Sequence, residues 1–156
     1  MPGSSVERIT ETVLAVFRAH GRLIEWGDSF VAPLGLTSAR WQMLGALALA
    51  GEALTTPRIA DAMGVSRQGA RKQLQRLAAE GLVVERPNPG HRRSPLYALT
   101  PRGESAYAAA EAQWREHAAR LAGHLDEADL RAALRVLSLL ETAHGPAATA
   151  VGAGGS

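Results

Sequence analysis

Between Val65 and Ala79 the chain carries Arg67, Gln68, Arg71, Lys72, Gln75 and Arg76, and no carboxylate. On a helix that turns Ala70, Leu74 and Leu77 toward a core, Gln68, Lys72 and Gln75 point directly away, flanked by Arg71 and Arg76. Amides and cations on one helix face suit the major groove of duplex DNA. Arg or Lys pairs with guanine O6 and N7, Gln bridges adenine N6 and N7, and each good bidentate pair discriminates by about 1–3 kcal/mol. Gly69, near the first turn, keeps a side chain out of the approach. A face that only meets water mixes signs and uses Glu freely; this one does not.

A second basic group follows in the segment Asn88 to Ser94, where His91, Arg92 and Arg93 are adjacent. Arginines on a compact Pro/Gly turn can enter a narrow minor groove, where negative potential is enhanced. The charge distribution agrees. Residues 57–93 hold eight Arg/Lys and three acids, a local charge of +5 inside a chain of net charge +2. Such a patch attracts a phosphate backbone.

These residues need elements to hold them. Ile9, Val13, Val16, Phe17, Leu23 and Ile24 recur at helical spacing and predict a long first helix from Val6 to about Phe30, broken by Pro33 and Gly35. Thr37 caps a second helix, about Ser38–Leu49, with Trp41, Leu44 and Leu47 inward, and Gly51 ends it. Thr56 and Pro57 read as N-cap and first residue of a short helix to Met63, which positions the reading helix. Gly64 stops that helix, Val65 is a buried anchor, and Ser66 caps the next. This is a helix-turn-helix layout. Leu82–Arg86 and Leu96–Leu99 predict a two-stranded ribbon. Thr100 and Pro101 open an Ala-rich helix through about Leu121. Asp126 caps the last helix, with Leu125 and Leu130 as a hydrophobic staple.

The expected fold is mainly α with a small β-ribbon: a winged helix-turn-helix core, 37–100, flanked by terminal helices, 6–35 and 101–144, in one domain. Residues 1–5 and 145–156 read as disordered. At 156 residues and 46% hydrophobic content one core can form. Without cysteine there is no disulfide or thiolate site. No apolar run suits a membrane span and no leader pattern opens the chain, so a cytoplasmic protein is expected.

Taken in order, Leu54 to Ala60, Met63 to Gln68, Leu77 to Val83, His91 to Arg93 and Leu99 to Gly103, with Leu36, Thr37 and Trp41 to Leu44, resemble the MarR family of bacterial transcriptional regulators. The likeness spans about Val6 to His144. It implies an obligate homodimer with interlocking terminal helices, bound to a pseudo-palindromic operator, most often as a repressor. By position Ser66, Arg67, Gln68, Arg71 and Lys72 match the family's recognition-helix contacts, and Arg92 and Arg93 its wing arginines. Where the family often has Asp near the wing start to orient an arginine, this chain has Asn88, which accepts a hydrogen bond without charge assistance. Two-fold pairing also follows from recognition, since one half-site offers one subunit few contacts.

The expected DNA-contacting set is therefore Thr56, Pro57, Ser66, Arg67, Gln68, Gly69, Arg71, Lys72, Gln75, Arg76, His91, Arg92 and Arg93. In the family, effectors often sit between the dimerisation helices and the reading domain. His20, Trp26, Phe30 and Trp41 could line such a pocket for a small aromatic or phenolic ligand. Tyr107 and Trp114 are further aromatics, and ordinary packing accounts for most of this set. His117 and His124 lack a third partner, His20 and His144 are isolated, and neither a nucleophile elbow nor a phosphate-cradling glycine loop occurs. No enzyme, metal or cofactor is expected. Two other readings compete. A sequence-tolerant architectural DNA binder would show no operator preference. A winged-helix protein-interaction module would need an apolar recognition face.

Overall fold

The computed structural model describes residues 3–146, and the chain divides into two compact units on either side of Ala112. In the first unit the order is α1 (Ser5–Val31), a 3-10 turn (Ala32–Leu34), α2 (Ser38–Ala50), β1 (Leu54–Thr55), α3 (Thr56–Met63), α4 (Arg67–Ala79), β2 (Val83–Arg86), β3 (Leu96–Leu99) and the start of α5 (Pro101–Ala122). The second holds the rest of α5 and α6 (Glu127–His144). No helix among the described residues is long and apolar enough to cross a membrane.

Helix α1 begins at Ser5, one residue before the expected Val6. Ser4 Oγ accepts from Glu7 N at 3.2 Å, and Ser4 N donates to Glu7 Oε2 at 2.7 Å. This reciprocal cap fixes Ser4 and starts the helix at Ser5. Met1 and Pro2, and residues 147–156 of the expected tail, lie outside the described residues.

Around α2 the first unit builds its core. Met43, Leu44, Ala46 and Leu47 are buried in succession because α1, α3, α4 and β3 all touch this helix. The expected inward Leu44 and Leu47 are there, while Trp41 is only half-buried. Ile59, Leu74, Leu77, Val83 and Tyr97 complete the centre.

The sheet has three antiparallel strands in the order β1-β3-β2, not two. β1 pairs Leu54 with Tyr97 and Thr55 with Leu96. Two residues carry no periodicity, so only the partner strand defines them. This pairing moves the start of α3. Thr55 is the extended N-cap, without a side-chain bond; Thr56 is the first helical residue, and Pro57 stays in the first turn. A proline there forfeits no helical bond.

At the turn, Gly64 adopts φ 63°, where an L side chain is strained. Val65 N then donates to Ala60 O at 3.0 Å and closes α3. Val65 packs against the core half-buried, short of the buried anchor expected. Ser66 Oγ accepts from Gly69 N at 3.0 Å and opens α4. In the second unit Asp126 Oδ1 accepts from Ala128 N at 3.0 Å. Leu125 and Leu130, the expected staple, remain 52% and 41% exposed, and α6 has no buried residue.

Candidate nucleic-acid interface

The outward face of α4 follows from the inward one. Ala70, Leu74 and Leu77 are fully buried, which leaves Arg67, Gln68, Gly69, Arg71, Lys72, Gln75 and Arg76 exposed. Ser66, also exposed, is the N-cap of α4. Gly69 has a local reason as well as the expected one: a Cβ there would stand 2.9 Å from Ser66 Oγ.

A cleft of about 510 Å³ opens beside this face. Arg67, Gln68, Arg71 and Gln75 from α4 meet Thr56 and Pro57 from α3 and Arg93 from the wing there. Seven of the expected site residues are thus brought to one place. Lys72 and Arg76 are exposed on α4 outside that lining; His91 and Arg92 are exposed in the wing loop.

The wing loop is held by its own backbone and by Asn88. Asn88 Nδ2 donates to Ser94 O at 2.9 Å, His91 N donates to Asn88 O at 3.0 Å, and Ser94 N donates to His91 O at 3.1 Å. Asn88 therefore ties the two ends of the loop together through its amide donor, a bond that a carboxylate could not make.

The C-terminal end of α4 is anchored by residues that local patterns do not reveal. Arg40 of α2 is buried, and its Nη1 donates to Glu80 Oε1 at 3.1 Å and Oε2 at 2.8 Å. Arg76 Nε donates to the same carboxylate at 3.3 Å, and Arg102 Nη1 donates to Glu80 O at 3.1 Å. No sequence period joins positions forty apart. Glu85 and Tyr97, opposite each other on β2 and β3, also line the cleft. The Tyr97 hydroxyl donates to Glu85 Oε2 at 3.4 Å. Burial pushes the Tyr97 pKa above 10.0, the Glu85 carboxylate adds to the rise, and Arg71 opposes it. Finding Glu85 would have required the strand register.

Of the expected effector residues, Trp26 and Phe30 stack with centroids 4.5 Å apart, and Phe30 lies 6.0 Å from Trp41. His20 is exposed on α1. His117 lies on α5, 5.8 Å from the Trp114 ring, whereas α5 ends at Ala122, before His124. Among the described residues no cluster of three metal-ligating side chains forms.

A model of the MarR family matches residues 34–94. An uncharacterized protein of Mycobacterium tuberculosis is 37% identical over 126 residues, 81% of this chain and 87% of its own length. Among solved structures, a MarR family transcriptional regulator from Streptomyces coelicolor superposes with a TM-score of 0.72 at 27% identity, covering 87% of this chain and 94% of that one. The M. tuberculosis transcriptional regulator MosR does so at 0.70 and 25% identity, covering 84% and 95%. A mutant MarR from E. coli, solved with operator DNA, shares the fold at 0.72 with 18% identity, over 88% and 99%.

Proposed function

Because the chain belongs to the MarR family of DNA-binding transcriptional regulators, we propose that it is a homodimeric, cytoplasmic repressor of a pseudo-palindromic operator, relieved by a small ligand. One observation carries the sequence-specific part: α4 offers a solvent face of Arg and Gln with no carboxylate, and that face converges with α3 and Arg93 on one cleft. Guanine and adenine edges are what such side chains bind. The recognition face lacks the apolar surface that a protein-interaction module needs.

Pairing is supported by the apolar surface of the outer helices. On α1, Val6 is 71% and Phe17 69% exposed; on α6, Leu134 is 67% and Leu139 65%. Apolar surface on this scale marks an interaction site. The operator is supported by the E. coli MarR mutant of the same fold, solved with operator DNA. Ligand relief is supported by two relatives of the same fold. Bordetella bronchiseptica BpsR has its DNA binding regulated by 6-hydroxynicotinic acid, and Rhodococcus jostii CouR was solved with p-coumaroyl-CoA. The stacked Trp26 and Phe30 of α1, with His20 on the same helix and the tilted Trp41 of α2 beside Phe30, are the aromatic group proposed to meet such a ligand. Nothing in this reading requires an enzyme, a metal or a cofactor.

Selection of bound fragments from genomic DNA tests the reading directly. The wild-type protein should enrich a two-fold symmetric sequence. Arg71→Ala and Lys72→Ala should each relax base preference, by about 1–3 kcal/mol per lost bidentate pair. If both variants kept full affinity and full preference, the groove contact would be wrong. Enrichment of no sequence would favour the architectural alternative.

A further inference from the structure

Helix α1 is tied to α2 at a joint that shares no residue with the cleft beside α4. Ser38, the first residue of α2, is buried, and its Oγ donates to Ile24 O of α1 at 2.8 Å. Its backbone N donates to Asp28 Oδ1, also of α1, at 2.8 Å. An N–H in the first turn has no intrahelical partner, and the helix dipole there favours a carboxylate. Between the two ties lies buried Gly27, where a Cβ would stand 2.2 Å from Ser38 Oγ. So close an approach of two helices requires glycine at that position. Thr37 already caps α2 through Arg40 N. The two bonds from Ser38 therefore do something else: they fix α1 against α2, the helix it chiefly packs on, and α2 packs in turn on α3 and α4.

We propose that Asp28 and Ser38 are positioning residues for operator recognition: they hold α1 in one placement on the reading unit and so set the half-site spacing that a dimer accepts. The inference rests on the homodimer proposed above, in which α1 offers exposed apolar surface for pairing. A pair joined through its outer helices can set two copies of α4 one DNA turn apart only if each α1 is rigid against its own α4. The rigid path runs from α1 through Ser38 into α2, and from α2 into α4. One extra base pair between half-sites moves the second by about 3.4 Å and turns it by about 35°. To follow that displacement the joint must open. Losing a hydrogen bond to a carboxylate corresponds to about tenfold in affinity, and losing a neutral one to about fivefold.

The test uses the whole chain and duplexes that carry the two selected half-sites at the operator spacing, one base pair closer and one base pair further apart. A duplex with a single half-site is measured beside them. Wild type should bind the operator spacing best. Asp28 is exposed, so Asp28→Ala leaves the core intact. Its preference for the operator spacing over the neighbouring ones should fall about tenfold, and that of Ser38→Ala about fivefold, because each variant has already given up a bond that wrong spacing would break. Affinity for the single half-site and dimer mass in light scattering should stay as in wild type. Asp28→Asn keeps an oxygen that accepts from Ser38 N and should retain most of the preference. Ser4→Ala removes a cap at the other end of α1 and should retain all of it. An unchanged spacing preference in Asp28→Ala would overturn the inference. So would an equal loss in Ser4→Ala, which would mark helix stability as the cause, or an equal loss in Asp28→Asn, which would exclude the bond. A monomeric Asp28→Ala would also overturn it, since the residue would then serve pairing itself. Wild type that gains nothing from a second half-site would remove the dimer reading, and this inference with it.

Discussion

Arg71, Lys72 and Arg76 lie within six residues, yet only Arg76 is held by a carboxylate, its Nε being 3.3 Å from Glu80 Oε1. That bond is exposed and steers the guanidinium more than it stabilises the protein. Arg76→Ala should weaken operator and random duplex alike and flatten the salt slope by up to ~0.9, readable from fluorescence anisotropy at several salt concentrations. Gly69→Ala sets two effects against each other. Alanine is favoured over glycine in a helix by about 1 kcal/mol, but the new Cβ would crowd Ser66 Oγ and weaken a cap also worth about 1 kcal/mol. The melting temperature should therefore barely move while DNA affinity falls. A large drop in melting temperature would show that the cap dominates. At this scale the sequence was legible wherever a bond spans only a few residues, as at Ser66, Thr37 and Asp126. It was not legible for Arg40 with Glu80 or for Glu85 with Tyr97, whose partners meet only after folding.

Helix α4 is fixed at both ends, by the Ser66 cap and by Arg40 gripping Glu80. The Arg40 side chain is 9% exposed and Glu80 37%, so the pair is sheltered on one side only. Breaking a fully buried pair costs about 3–5 kcal/mol; with Glu80 partly wet, Glu80→Gln should cost about 2 kcal/mol in chemical denaturation. Adding Arg40→Met should recover part of that loss, because no charge is then left stranded. The wing adds a dependence on alkaline pH. Folding raises the Tyr97 pKa, so the stability this residue contributes is complete below about pH 10 and is lost as pH rises through the folded value. Tyr97→Phe should be less sensitive to alkali than wild type in a denaturation series from pH 9 upward. Long helices were legible because their apolar positions repeat. α2 was only partly so, because neighbours on several sides bury successive residues. β1 was hidden because two residues make a strand only when β3 lies beside them.

Across the whole molecule, burial is unequally shared. Among the described residues every buried one lies between Gly27 and Ala110, and α6 has none, although Leu134, Val136, Leu137 and Leu139 lie along it. Leu134→Glu should leave the melting of the reading unit intact, convert the protein to a monomer in light scattering, and weaken operator binding sharply as the second half-site is lost. The order of motifs made the helix-turn-helix part legible in the sequence. The apolar face of α6 was legible only as an unspent surplus, since a single chain contains nothing to say what covers it. The unequal burial has a consequence for how the protein would behave in a cell. If the second copy proposed above is what covers α6, the helix gains order by mass action, so its stability rises with the amount of protein present. Repression would then turn on over a narrow range of copy number, with dilution at cell growth acting against it as surely as any ligand.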